Sequence, residues 1–66
     1  MAISAKERAI REKLGVLRDF YIVDDNNEAE YRAILQKAID ERPNGDVDMV
    51  LDRTARKLID GRLGVI

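Results

Sequence analysis

Apolar residues recur with the spacing of one helical face in the middle of the chain. The positions that share this face are Tyr31, Ile34, Leu35, Ala38 and Ile39. Their i, i+3, i+4, i+7, i+8 spacing follows the 3.6-residue period of an α-helix. Asn27 and Glu30 have the spacing of a capping box at its start, and Pro43 disfavours helical geometry at the preceding residue. The pattern therefore predicts a helix over residues 28–42.

Two further apolar stripes flank this helix. The first runs along Ile10, Leu14, Leu17 and Tyr21, and the second along Val47, Val50, Leu51, Thr54 and Leu58. Ser4, with Glu7 three residues later, gives the first stripe a capping box, and Asp46 is a favourable N-cap for the second. Gly61 is the type of residue that commonly follows a helix end. These signals predict helices over residues 5–20 and 47–60.

Three amphipathic helices joined by short connections predict a single all-α domain, a three-helix bundle in which consecutive helices are antiparallel. With 66 residues and no cysteine, the chain is close to the lower size limit of a fold held by apolar packing alone. So short a chain often completes its core by forming a homo-oligomer. Residues 61–66 are expected to form an apolar tail. One alternative pairs residues 21–23 with 63–66 as two short strands.

The side chains that most often carry chemistry are scarce. The chain has neither cysteine nor histidine, which removes the usual zinc ligands and the usual activated nucleophiles. A calcium-binding loop that started at Asp24 would have Ala29 at its sixth position, and one that started at Asp40 would have Arg42 at its third. Neither matches the required pattern of oxygen ligands. We therefore expect no metal, no cofactor and no enzymatic activity.

The longest uninterrupted apolar run covers only residues 20–23. A membrane span needs about 20 apolar residues, and the apolar region of a signal peptide about 7–15. The chain begins at Met1 without a basic and then apolar leader. We therefore expect a cytoplasmic protein that has no membrane partner.

Several apolar residues fall outside the cleanest stripes or at their edges. They are Phe20, Ile22, Val23, Met49, Leu63, Val65 and Ile66. Surplus apolar surface on a small chain usually marks an interface. The sequence thus predicts a protein–protein interaction or assembly module that uses these residues. It would self-associate, or dock on a partner protein to adapt or regulate it.

The alternative function is that of a small nucleic-acid-binding regulator. Basic residues share one face of the first predicted helix and one face of the third: Arg8, Arg11 and Arg18, then Arg53, Arg56 and Lys57. Arginine side chains match the geometry of phosphates well. Against this, Glu7 and Asp52 each lie four residues before an arginine, which is the spacing of ordinary surface ion pairs. The net charge of −1 also disfavours a polyanion ligand.

Overall fold

The computed structural model describes residues 3–63, with the backbone alone for Leu63. It contains three α-helices: α1 (Ala5–Asp19), α2 (Glu28–Asp40) and α3 (Val47–Leu63). Each helix packs against the other two, so the predicted all-α three-helix bundle is confirmed. Within the described range no residue lies in a β-strand, and residues 21–23 belong to the connection between α1 and α2. The alternative strand is therefore wrong there; its predicted partner, residues 63–66, extends beyond the described range.

Contacts between α1 and α3 fix the directions of the helices. Lys13 of α1 forms an ion pair with Asp52 of α3. Val16, further along α1, lines the same surface groove as Ile59, further along α3, so these two helices run in the same direction. Short connections join α2 to the end of α1 and to the start of α3, so α2 runs in the opposite direction. The α1–α2 connection thus lies at one end of the bundle and the α2–α3 connection at the other. None of the three described helices combines the length and the apolar composition needed to cross a membrane.

Two of the three predicted helix caps are confirmed by hydrogen bonds. The Oγ atom of Ser4 accepts a hydrogen bond from the N–H of Glu7 at 3.1 Å. The Oδ1 atom of Asp46 accepts one from the N–H of Met49 at 3.2 Å. Each bond satisfies a backbone donor that the first helical turn leaves without an intrahelical partner. The start of each of these two helices is therefore specified by a side chain that lies three residues before the N–H group it binds.

The predicted cap by Asn27 is wrong. Its side-chain amide holds the α1–α2 connection instead: Nδ2 donates to the carbonyl of Ile22 at 3.0 Å, and Oδ1 accepts from the N–H of Asp24 at 2.7 Å. Asp24 satisfies the backbone that approaches α2, because its Oδ1 accepts from the N–H groups of Asn26 at 2.9 Å and Asn27 at 3.1 Å. The side chain of Asn27 is therefore committed to the connection rather than to α2.

The helix α1 ends at Asp19 in a Schellman motif. The N–H of Ile22 donates to the carbonyl of Leu17, and the N–H of Tyr21 to that of Arg18, both at 3.0 Å, which are the two bonds of this motif. Tyr21 has a φ of 60°, in the left-handed region where glycine is usual, and is 89% exposed. A tyrosine in that conformation costs about 1–2 kcal/mol relative to glycine. The sequence stripe placed Tyr21 on the core face, whereas the structure places it in solvent.

The other two helix ends also differ from the prediction. The helix α2 ends at Asp40, two residues early, because the N–H of Arg42 bonds back to the carbonyl of Ile39 at 3.1 Å in a tighter turn. The helix α3 continues through Gly61 to Leu63. Gly61 lacks the positive φ that would end a helix, and an interior glycine is tolerated at a cost of about 1 kcal/mol. The first part of the predicted tail is therefore helical.

The hydrophobic core lies where the three helices meet. Its largest fully buried side chains are Ile10, Leu17, Leu35 and Leu51. Ile22 and Val23 of the α1–α2 connection join this core at 7% and 3% exposure. The Schellman motif turns them inward, since the residue after its left-handed position commonly packs back on the helix. The core thus includes a segment that has no helical period.

Candidate functional site

The residues predicted to form a protein interface do not share one surface. Phe20 and Met49 are 46% and 56% exposed, but they lie near opposite ends of the bundle. Ile22 and Val23 belong to the core, so their assignment to an exposed contact surface is wrong. The physical reason is the turn at the end of α1, which directs both side chains inward. The side chains of the other three predicted residues lie outside the described part of the chain: Leu63, Val65 and Ile66.

The basic stripe predicted on α1 is largely neutralised within the fold. Arg18 lies 3.2 Å from Glu28, and this hydrogen bond is the main reason that the pKa of Arg18 is raised. The carboxylate of Asp25, in the α1–α2 connection, adds to the effect. The Nε atom of Arg11 lies 3.3 Å from an oxygen of Glu7. Arg8 is exposed at the start of the helix. Two of the three arginines therefore serve the fold, which leaves a weak site for a polyanion.

The cations of α3 are exposed and available. Among residues 3–63, no carboxylate oxygen lies within 4 Å of the side-chain nitrogens of Arg53, Arg56 or Lys57. The expected pairing of Asp52 with Arg56 does not form, because Asp52 contacts Lys13 of α1 instead. The positive charge of α3 can therefore act on a ligand.

A groove between α2 and α3 gathers two of these cations. Two adjoining depressions form this surface, which we call the basic groove; both are lined by Ala38, Glu41, Thr54 and Lys57. Its floor consists of Ala38, Val50, Thr54 and Leu58, with Ile34 and Met49 at its two ends, and its rim carries Lys37, Arg42, Arg53 and Lys57. From Met49 to Leu58 the groove follows about nine residues of helix, or about 14 Å.

The floor of the basic groove offers apolar contacts. Ala38, Val50 and Leu58 are half-buried there. The hydroxyl of Thr54 donates to the carbonyl of Val50 at 2.9 Å, so its hydrogen is already bonded within the helix. Met49 is more than half exposed at the end nearest the α2–α3 connection. The floor can therefore bury apolar side chains of a ligand.

The rim of the basic groove is mainly positive. Its four cations face two carboxylates, those of Glu41 and Asp46, and an oxygen of Asp46 is already used to cap α3. No carboxylate of the described chain lies within 4 Å of the nitrogens of Lys37 or Arg42. No three acidic side chains of residues 3–63 come together as metal ligands would. The groove is thus a local positive surface on a chain whose net charge is −1.

The contribution of α2 to this groove was missed by sequence reasoning. Lys37 and Arg42 lie outside the apolar stripe of α2, and which of its flanks meets α3 depends on the packing. The small residues of the two apolar stripes could have indicated the groove. Ala38 is the smallest residue of its stripe, as Thr54 is among the smaller residues of the α3 stripe. Small side chains on facing helices leave space between them, and this space is the groove.

Glu7 joins α1 to α2 through Arg32, and it also contacts Arg11. The hydrogen bond to Arg32 is the main reason that the pKa of Glu7 lies below its ordinary value. Such a carboxylate stabilises the fold above its unfolded-state pKa and loses that effect as the pH falls through its folded-state pKa. We expect Glu7→Gln to lower the thermal unfolding midpoint at about pH 7 and to leave it unchanged at about pH 2. An equal difference at both pH values, measured by circular dichroism, would contradict this role.

Comparison of the chain with protein-family models, with curated proteins and with solved structures found no match. The functional interpretation therefore rests on the chain's own side chains, and above all on the basic groove.

Proposed function

We propose that the chain is a cytoplasmic, non-catalytic protein-interaction module. Its basic groove binds an acidic segment of a partner protein that also carries apolar side chains, and this contact adapts or regulates the partner. One observation supports the proposal above all. The groove combines an apolar floor with four rim cations that have no carboxylate within 4 Å among residues 3–63.

The floor and the rim favour two different features of the same ligand. Apolar side chains of the partner would cover Val50, Leu58 and the exposed end of Met49, which removes apolar surface from water. Carboxylates beside them would pair with Arg53 and Lys57. These pairs would fix the orientation of the bound segment and raise its association rate. A length of about 14 Å matches about nine residues of helix or about four residues of an extended chain. The surface therefore suits a compact acidic segment that also exposes apolar side chains, and a short amphipathic acidic helix is a suitable peptide probe for it.

Two polar groups of the groove, those of Thr54 and Asp46, favour a binding role rather than catalysis. The hydroxyl of Thr54 is bonded to the carbonyl of Val50, and Asp46 caps α3. Both groups are therefore engaged in helix structure. A catalytic site needs a nucleophile or a base that is oriented toward a substrate.

A second candidate function is nucleic-acid binding through α3. The exposed and unpaired state of Arg53, Arg56 and Lys57 among the described residues favours it. Asp48 and Asp52 lie on the same helix and would repel phosphates. The apolar floor would also gain little from a phosphate backbone. We therefore rank this function below protein binding.

The proposal is tested by titrating the purified chain into four fluorescent ligands and following anisotropy. The first ligand is a nine-residue amphipathic peptide, held helical by a side-chain crosslink as are its two variants, that carries glutamate on one face and leucine on the other, since about nine residues fit the groove. The second replaces the leucines with serine, and the third replaces the glutamates with glutamine. The fourth is a short DNA duplex. We expect saturable binding of the first peptide, and binding of the second and third that is at least about tenfold weaker.

Each other outcome decides against the proposal. Equal binding of the leucine-free peptide would show that charge alone is recognised. Tighter binding of the duplex, with a steep loss of affinity as salt increases, would establish the nucleic-acid function instead. If none of the four ligands binds, the groove is not a docking site for acidic segments.

A further inference from the structure

The turn at the end of α1 exposes aromatic side chains beside carboxylates. Phe20 and Tyr21 are 46% and 89% exposed, and Asp19 and Asp25, from the same end of the bundle, are also exposed. We call these four residues the acidic aromatic turn. The burial of Ile22 and the hydrogen bonds of the Schellman motif hold the turn in place. The aromatic side chains are therefore presented on a fixed backbone.

Two features of this turn oppose folding. Tyr21 occupies a left-handed backbone position where glycine would be favoured. Asp19 is the last residue of α1, where the negative end of the helix dipole disfavours a carboxylate, and no cation of residues 3–63 lies within 4 Å of it. Locally unfavourable residues that persist at one exposed place are typical of a functional surface. The turn therefore has the properties of a contact site.

The acidic aromatic turn is complementary to the basic groove. Phe20 and Tyr21 would supply apolar area to the floor. Asp19 would supply a carboxylate to the rim, whereas Asp25 is already paired with Arg18 at 3.1 Å. Aromatic side chains can also stack on arginine and lysine. The turn lies at the α1–α2 end of the bundle, whereas the groove reaches the α2–α3 connection at the other end. Because its backbone is fixed by the fold, a chain cannot place its own turn in its own groove.

Given the proposed function of the basic groove, we propose that the acidic segment it binds is the acidic aromatic turn of a second copy of this chain. The two surfaces differ, so the contact is heterologous and runs head to tail. A head-to-tail pair still has one free turn, on one copy, and one free groove, on the other. Repetition of such a contact gives a ring if the rotation closes and an open chain if it does not.

Two double variants test the acidic aromatic turn and the basic groove separately. The turn variant, Asp19→Asn with Tyr21→Gly, removes one charge and one aromatic while relieving both local penalties. We expect it to raise the thermal unfolding midpoint by about 4–8 °C, so lost association cannot be ascribed to unfolding. The groove variant, Arg53→Gln with Lys57→Gln, keeps good helix formers in α3. A control, Lys6→Gln with Arg8→Gln, removes the same charge as the groove variant from an exposed part of α1.

Sedimentation velocity over a concentration series gives the mass of each species. We expect the unaltered chain and the control variant to form species that grow with concentration. The turn variant and the groove variant should each associate at least about tenfold more weakly. An equimolar mixture of the two variants should form a dimer that does not grow, because only one intact turn and one intact groove can meet.

The inference is overturned if the unaltered chain stays monomeric, if either variant associates as the unaltered chain does, or if the mixture forms no dimer. A monomeric chain that still binds the acidic amphipathic peptide would refute the inference and leave the proposed function intact. A chain that neither associates nor binds the peptide would refute both.

Discussion

Replacing Ile22 with alanine is expected to lower the free energy of unfolding by about 2–5 kcal/mol. The side chain is 7% exposed and lies in the core that also holds Leu17, Leu35 and Leu51. Removing it leaves a cavity that rigid helices can fill only in part. A chain of this length has a total stability of about 3–10 kcal/mol, so the variant would lose between about a fifth of this stability and all of it. Urea denaturation followed by circular dichroism measures the change.

Met49→Ala is the matched control for this prediction. Both residues were assigned to the same contact surface from the sequence, but Met49 is 56% exposed in the structure. We expect its replacement to change the stability by no more than about 0.5 kcal/mol. Equal stabilities of the two variants would mean that Ile22 does not belong to the core. An Ile22→Ala protein as stable as the unaltered chain would restore the interpretation of this residue as a contact site.

Neutralising Arg53 and Lys57 together by glutamine is expected to weaken binding of an acidic amphipathic peptide by about tenfold or more. Each cation lies on the rim of the basic groove, and no carboxylate oxygen of the described chain lies within 4 Å of its side-chain nitrogens. An exposed ion pair contributes up to about 1 kcal/mol, so two of them account for a change of this size. The difference should shrink at high salt, because exposed charges are screened. Fluorescence anisotropy at low and high salt measures both effects.

The matched control neutralises Lys6 and Arg8, which are exposed on α1 and do not line the groove. It changes the net charge of the chain by the same amount. We expect its affinity for the peptide to stay within about twofold of the unaltered chain, since long-range attraction between exposed charges is screened. An equal loss of affinity in both variants would show that the peptide responds to overall charge rather than to the groove.

The number and the approximate bounds of the helices followed from local features of the sequence. The apolar spacing and the caps by Ser4 and Asp46 depend on residues a few positions apart, so they can be read directly. The α1–α2 connection was harder because Asp24 and Asn27 are both capping residues. The choice between them depends on Ile22, whose carbonyl receives the side chain of Asn27. That contact exists only after the connection has entered the core.

The candidate site was predictable only on one of its two sides. The cations Arg53 and Lys57 share an exposed face of α3, which the helical period reveals. Arg42, two residues beyond the end of α2, joins them because of the way α2 and α3 pack, which no local pattern specifies. The same holds for Tyr21, whose spacing matches the apolar stripe of α1, although the helix itself ends two residues before it. A stripe indicates a buried face only as far as its helix extends.

The most direct test of the basic groove is a residue-resolved titration by nuclear magnetic resonance. The ¹⁵N-labelled chain is titrated with the acidic amphipathic peptide, and the amide shifts are mapped on the structure. We predict that the largest shifts lie on the facing sides of α2 and α3, at Ala38, Arg42, Val50 and Lys57. Shifts concentrated on α1, or spread evenly over the exposed cations, would contradict the claim that the groove is the binding site.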